Sequence, residues 1–217
     1  MLSVAIGCGK SSLVHLICYN QELQSTSGTI GCAIEVKVHE QMGNTFFLEF
    51  WDLGGSEQFR EDRQVFMEDV HAILFVYDRT TPKSREHLMD WVDEFVQFQS
   101  RKPGSEKVAT SLDQRSEGYD PDKLVRDISA RLKGLPFFIA GNKDDLTKDK
   151  VDPPRSERHC PTSVKGLNCQ AKLDAFFNKI VAARLSEDNR NSASHHDSRR
   201  VANFHPPSRV QIANNFT

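Results

Sequence analysis

The sequence predicts an α/β protein with a mostly parallel sheet covered by helices. Three observations carry this prediction. Two short runs, Ala72 to Tyr77 and Leu135 to Ala140, are apolar on both faces, as strands buried beneath helices are. Helical patterns lie before, between and after them: Leu13, Leu16 and Ile17; Leu88, Trp91, Val92, Phe95 and Val96; and Leu173, Phe176, Phe177, Ile180 and Val181. A glycine-rich segment, Gly7 to Gly9, stands directly before the first of these helices. Strands alternating with helices imply parallel strands joined by crossovers.

The composition narrows the possible functions. The chain has 217 residues, 38% hydrophobic and 27% charged, with 28 basic against 30 acidic residues and a formal net charge of −2. That length suits one globular domain with a tail. The near balance of charge excludes holding nucleic acid by bulk positive charge. The longest apolar run, Ala72 to Tyr77, is far below the roughly 18 residues of a spanning helix. No charged leader precedes the first apolar residues and Lys10 interrupts them, so no secretory signal is expected. Cys8, Cys18, Cys32, Cys160 and Cys169 form no CxxC pair and no Cys/His metal spacing. They read as buried or inert thiols of a reducing compartment.

After the first helix, residues 32 to 38 alternate, with Cys32, Ile34, Val36 and Val38 on one face and Ala33, Glu35 and Lys37 on the other. This is the period of a strand with one wet side. Gln41, Met42, Gly43 and Asn44 make a hairpin turn, and Thr45 to Trp51 is the second, aromatic-rich strand. Arg101 to Gly118 is polar and reads as a mobile loop. Asp120-Pro121 then starts a helix with Asp as cap and Pro in the first turn. Leu124, Ile128 and Leu132 follow at intervals of four and Gly134 closes the segment. From Ser186 to Thr217 the chain is rich in Asn, Ser, His, Arg and Pro, the composition of a disordered tail. The expected division is therefore a domain over 1–185, with an insert at 101–134, and a tail over 186–217.

Four segments carry chemistry. Gly7-Cys8-Gly9-Lys10-Ser11-Ser12 opens a helix, where glycines let backbone N–H groups turn toward a phosphate and the helix start adds its positive dipole end. Lys10 supplies charge to the outer phosphates, and the Ser11 hydroxyl suits a magnesium ion. The full pattern has its first glycine at position 4, where this chain has Val4. Trp51-Asp52-Leu53-Gly54-Gly55 ends an apolar strand, where Asp52 can reach magnesium through water and a following glycine can approach a γ-phosphate by its N–H. Alone, Asp-x-x-Gly is a common turn. Asn142-Lys143-Asp144-Asp145 follows a buried strand, and the Asp145 carboxylate can there accept two parallel N–H bonds from a guanine edge. Ser163-Val164-Lys165 gains meaning only from its place after the other three.

In order and spacing these segments, with Thr29-Ile30-Gly31, resemble the small Ras-like GTPases. Within that family the resemblance is to the Rab-like protein 3 subfamily. It is carried by Lys10-Ser-Ser-Leu-Val-His-Leu16, Ile30-Gly-Cys32 followed by Glu35-Val-Lys-Val-His39, Glu49-Phe-Trp-Asp-Leu-Gly-Gly55, and Gly118-Tyr-Asp120 leading to Leu135-Pro136. It covers about Val4 to Arg184. The resemblance implies a P-loop NTPase fold, a Ras-like three-layer αβα sandwich, binding GTP or GDP with magnesium. It further implies that Gly7, Cys8, Gly9, Lys10, Ser11 and Ser12 bind phosphates, and that Ser11, Thr29 and Asp52 serve the magnesium ion. Asn142, Lys143, Asp145, Ser163, Val164 and Lys165 would form the base pocket. Lys10, Thr29 and Gly55 would act on the γ-phosphate. The segments Gln21 to Gly31 and Leu53 to Asp69 would be the two switches, meeting protein effectors or regulators. The subfamily also suggests a homodimer, a cytoplasmic location and a part in signalling or vesicle trafficking.

The sequence departs from the family pattern at several places. Ser56 stands where the family has a glutamine that orients the attacking water, so slow hydrolysis is expected. Met1 stands only three residues before Val4, so the strand expected ahead of the phosphate loop is short and looks truncated, in the middle of the sheet where two neighbours need it. Leu146 to Arg158 is brief and holds Pro153-Pro154, leaving no room for a helix. Glu22 and Leu23 replace an aromatic flanking the base, which favours quick exchange. No cysteine follows Cys169, so a prenyl anchor is not expected, and Arg199-Arg200 is too sparse for a polybasic one. Two functions compete: a guanine-nucleotide switch, and a pseudo-GTPase scaffold that uses the same fold without turnover. A P-loop kinase is weaker, because no lid arginines can be pointed to.

Overall fold

The hairpin expected near Met42 forms because its two central residues adopt left-handed backbone, Met42 at φ 51° and Gly43 at φ 75°. Positive φ at both positions matches the right-handed twist of the strands it joins. Strands β1 (Cys32–Gln41) and β2 (Asn44–Leu53) flank it and pair antiparallel from Cys32↔Leu53 to Gln41↔Asn44. This is a computed structural model, and it describes residues 7–25, 27–56, 61–101, 120–147, 155–194 and 209–214.

The two wholly apolar runs are strands β3 (Ala72–Asp78) and β4 (Phe137–Asn142), buried at every position and parallel to each other. Helices α1 (Lys10–Tyr19), α2 (Pro82–Ser100), α3 (Pro121–Leu132) and α4 (Gln170–Ser194) cover the sheet. On one face Leu13, Val14 and Ile17 of α1 and Leu173, Phe177 and Ile180 of α4 pack on Leu48, Phe50, Leu74 and Val76. On the other, Leu88, Trp91 and Phe95 of α2 and Ile128 and Leu132 of α3 pack on Ile73, Phe75 and Phe137. Each such side chain taken fully out of water contributes about 1.5–3 kcal/mol. The result is the expected three-layer αβα sandwich.

The start of α3 follows its sequence signals. Asp120 caps it by accepting a bond from the Asp122 N–H at 2.9 Å, and Pro121 occupies the first turn. The short strand β5 (His159–Pro161) lies at a sheet edge, where the missing N–H of Pro161 is tolerated. Burial raises the thiols of Cys18 to about 12 and Cys32 to about 11, in keeping with unreactive cysteines. His159, in contact with the Tyr77 hydroxyl at 3.1 Å, is kept neutral by burial, its pKa lowered to about 4.

Two expectations need correction. The apolar side of β1 is its exposed side: Ile34 and Val38 are more than half exposed, and Val36 is exposed too. The polar side faces the helices, where the Lys37 ammonium donates to the Ile17 carbonyl at the end of α1, Glu35 meets His15, and His39 meets Asn178 of α4. The carbonyl end of a helix offers unsatisfied acceptors that a lysine can fill. Among the described residues, none covers the other face of this edge strand.

The second correction concerns the stretch from Ser186 onward, expected to be disordered. α4 continues to Ser194, and Arg209–Asn214 form a strand, β6. The sheet order is β1-β2-β6-β3-β4-β5, with β6 parallel to both β2 and β3. The place between β2 and β3 is where the resemblance puts a strand leading into the phosphate loop. The expected remnant strand at 1–6 and the mobile loop at 102–118 lie outside the described residues, as do Pro153 and Pro154. The expectation that 146–158 holds no helix falls mostly on residues 148–154, outside the described residues. The composition of 186–217 misled because Arg209, Gln211 and Asn214 break the apolar run that a buried central strand ordinarily shows, although backbone bonds to two neighbours place it there. Its sequence, Arg-Val-Gln-Ile-Ala-Asn, does alternate in a short stretch.

Candidate functional site

The candidate residues gather at the carboxyl ends of the parallel strands, where α/β sheets place their ligand sites. Gly7 and Gly9 have φ of 95° and 83°, so the segment turns through left-handed backbone into α1, with Gly9 as its N-cap. The start of α1 has no side-chain cap and no acidic residue in its first turn, which leaves backbone N–H donors and the positive dipole end open to an anion. Lys10, Ser12 and Cys8 are buried in this turn, the Cys8 thiol lying 3.7 Å from the Val76 carbonyl.

Ser11, Thr29 and Asp52, separated in sequence, meet. The Ser11 hydroxyl donates to Asp52 Oδ2 at 2.5 Å and lies 3.0 Å from Thr29 Oγ1, which donates to the same carboxylate oxygen at 3.3 Å. Asp52 is 2% exposed, and its other oxygen is buried with no hydrogen-bond partner among the described residues. Thr29 is carried here by the backbone around Gly54. The Gly54 N–H donates to the Gly31 carbonyl at 2.7 Å, and a Cβ at Gly54 would stand 2.4 Å from the Thr29 carbonyl. Glycine is therefore required at the point where the two expected switch segments touch. Gly55 and Ser56 follow, both half-buried.

A second group forms at the ends of β4 and β5. Asn142 is fully buried and its amide donates to the Cys8 carbonyl at 2.8 Å and the Gly9 carbonyl at 3.4 Å. It thereby ties the end of β4 to the glycine turn. Asp145 accepts from the Ser163 hydroxyl at 2.7 Å and lies 3.3 Å from the Lys165 ammonium. The Ser163 bond, with Lys165 beside it, holds the Asp145 pKa below its ordinary value against a small opposing effect of burial. Val164 is half-buried in the turn that joins Ser163 to Gly166. The loop is fastened to its neighbour by the Asp144 N–H donating to the Thr162 carbonyl at 3.0 Å.

Sequence reasoning missed two residues that build this end of the site, Asp78 and Arg79, and at the other end the contact made by Gly54. Asp78, at the end of β3, accepts from the Lys143 ammonium at 2.7 Å and from the Thr80 hydroxyl at 2.6 Å. Burial works against the Asp78 carboxylate, but these bonds outweigh it and lower its pKa. Arg79 pairs with Asp144, and Gly54 has the contact role given above. The signal for Asp78 was its place at the carboxyl end of a buried strand. Its partner could not be read from the sequence, because Lys143 lies just beyond a different strand, β4.

The comparisons agree with this geometry. Residues 5–113 match the family model described as Roc, the Ras of Complex domain of DAPkinase. The chain is 31% identical to a Rab-like protein 3 of Danio rerio, covering 91% of each chain. It is 29% identical to a Rab-like protein 3 of Xenopus tropicalis, covering 90% of this chain and 89% of the relative. It is also 29% identical to the Ras-related protein RIC1 of Oryza sativa subsp. japonica, over 67% of this chain and 71% of the relative. With a glycine turn, a buried aspartate and an Asn-Lys-x-Asp loop converging on one edge of an αβα sandwich, the chain belongs to the Ras-like small GTPases, in the Rab-like protein 3 family.

Proposed function

We propose that this protein is a guanine-nucleotide switch that binds GTP and GDP with magnesium and hydrolyses GTP slowly. The observation that carries the reading is the assembly of two distant residue groups on one sheet edge, joined by Asn142. The Gly7–Ser12 turn takes the phosphates, with Lys10 neutralising the outer ones, and Asn142, Lys143, Asp145, Ser163, Val164 and Lys165 take the base.

Ser11, Thr29 and Asp52 suit magnesium, a hard ion that prefers a few oxygen donors and keeps its remaining positions for water and phosphate. The unpartnered Asp52 oxygen supports that assignment. When bound, the ion would neutralise charge on the phosphates. Thr29 and Gly55 lie on the two segments that would close when a γ-phosphate is present, and their contact through Gly54 is how one would sense the other. Protein regulators or effectors are assigned to the exposed apolar side of β1, Ile34, Val36 and Val38, and to Ile30 in the first switch. A second copy of the chain is one such partner. A cytoplasmic role in signalling or trafficking is part of the same proposal. Among the described residues no helix is long and apolar enough to cross a membrane.

The test is the identity of the nucleotide extracted from purified protein. Guanine nucleotide whose release is accelerated about tenfold or more by chelating magnesium is the expected result, a change of roughly 1.4 kcal/mol or more in holding energy. Absence of any nucleotide, and no binding of added GDP, supports the scaffold reading instead. Ser56 favours that rival, since its side chain is too short to orient a water at the γ-phosphate. Within the switch reading, Ser56→Gln should speed single-turnover GTP decay by about tenfold or more. Decay in the unaltered protein as fast as in glutamine-bearing relatives overturns the slow-hydrolysis proposal.

A further inference from the structure

We infer that residues 209–214 are a positioning strand for the nucleotide site, holding together two halves of the sheet that each carry part of it. The inference rests on the proposed nucleotide reading for its consequence, but not for the placement of the strand. Among the described residues the β1–β2 hairpin has no ladder with β3, β4 or β5; β6 alone connects them. The hairpin half carries Asp52 at the end of β2. The other half carries Asp78 on β3, Asn142 on β4 and, beyond it, Asp145. Phe47 to Trp51 of β2 pair with 209–213, and Ala72 to Leu74 of β3 pair with 212–214.

The neighbours of this strand are core residues: Leu48, Phe50, Ala72 and Leu74 are all wholly buried. With β6 withdrawn, the backbone N–H and C=O groups that face it would lose their ladder in a place remote from water, and only side-chain packing under α1 and α4 would still bridge the two halves. The direction of the strand ties it to the chemistry. Running parallel to β3, it points its carboxyl end at the edge where the phosphate turn sits, and Asn214 is in register with Leu74. Val76, whose carbonyl meets the Cys8 thiol, lies just beyond on β3. The Ser11–Asp52 bond joins α1 to the end of β2 on the hairpin side, whereas Asn142 and Asp145 lie on the far side of β6. A segment far along the chain thus sets the distance between the magnesium aspartate and the base-side residues beyond β4. Displacing it is a means of opening the site without touching a residue that contacts ligand.

The experiment compares the full chain, the chain ending at Ser208, and the full-length variants Gln211→Pro and Gln211→Thr. Proline removes one ladder donor from a central strand, whereas threonine keeps it. Two readouts are taken: hydrogen exchange of amides 47–51 and 72–74, and affinity for a fluorescent GDP with magnesium. Truncation and Gln211→Pro should each remove protection from the amides of both segments that face β6, while those that face β1 or β4, such as Ile73 bonded to the Pro136 carbonyl, keep theirs. Affinity should fall about tenfold if the assembled state drops to about a tenth of the molecules. Gln211→Thr should match the full chain, and a synthetic peptide of residues 205–217 should restore protection and affinity to the shortened chain. If the shortened chain does not fold alone, folding upon adding the peptide counts in favour. Unchanged protection on truncation overturns the inference, as does unchanged protection with Gln211→Pro when the peptide has no effect. Protection that depends on 209–214 in a full chain that binds no guanine nucleotide supports the strand and overturns the nucleotide reading.

Discussion

Asp145→Asn should turn the protein from guanine toward xanthine nucleotides, lowering GDP affinity by about a hundredfold or more while raising that for XDP. The carboxylate is an acceptor at both oxygens, and guanine presents two parallel N–H donors to it. Bonds to a charged group contribute about 1.5–3 kcal/mol each, so losing the pair costs at least about 3 kcal/mol. Asparagine keeps one acceptor and turns a donor toward the base, which suits the carbonyl that xanthine has in place of the guanine amino group. The environment of Asp145 favours the effect. Ser163 donates to one oxygen and Lys165 stands beside the other, and each oxygen retains a lone pair for the base. With its pKa lowered, the group is ionised throughout the neutral range. Competition titrations with fluorescent GDP and XDP measure the change. An Asp145→Asn protein that binds both as the unaltered chain does would remove Asp145 from the base pocket.

Gly9→Ala should be the most damaging change in the phosphate turn, and Gly7→Ala a much milder one. Both glycines have positive φ, so each alanine meets backbone strain of about 1–2 kcal/mol. Only at Gly9 does the added carbon also collide, at 2.5 Å from the Asn142 amide nitrogen, whereas nothing stands within 4 Å of a Cβ at Gly7. Asn142 is buried, and moving it breaks its bond to the Cys8 carbonyl. A buried polar group left unsatisfied costs about 1–3 kcal/mol more. Gly9→Ala should therefore lower the melting temperature and weaken nucleotide binding by roughly thirtyfold or more. Gly7→Ala should lose only the strain. Thermal melts and GDP titrations of the two variants side by side make the comparison, and equal losses would show that Asn142 does not brace the turn.

This contrast also marks how much of the site was legible. The turn of Gly7 and Gly9 into the helix that begins at Lys10 and Ser11 was legible from a stretch of a few residues, because a turn into a helix start is a local structure. The pairing of Asp145 with Ser163 and Lys165 was foreseeable only through the order of motifs, since the residues lie on different loops. The Lys143–Asp78 bond was not legible, nor was the closeness of Gly54 to Thr29, because both depend on which strand ends lie side by side. The orientation of β1 was misjudged for a related reason. Its alternation showed that the two faces differ, but not that the apolar one extends beyond the helix layer.

By itself the sequence determined the α/β class, the helices over a buried parallel pair, the Asp120 cap and the hairpin at Met42-Gly43. These depend on side-chain period, turn conformation and donor type, all of which are written in short windows. Only the tertiary structure decided that a strand at 209–214 occupies the centre of the sheet, between β2 and β3. Its Arg, Gln and Asn depart from the apolar run of a buried central strand and the bonds that place it are between backbone groups, so its composition gave little sign that the sheet closes around it.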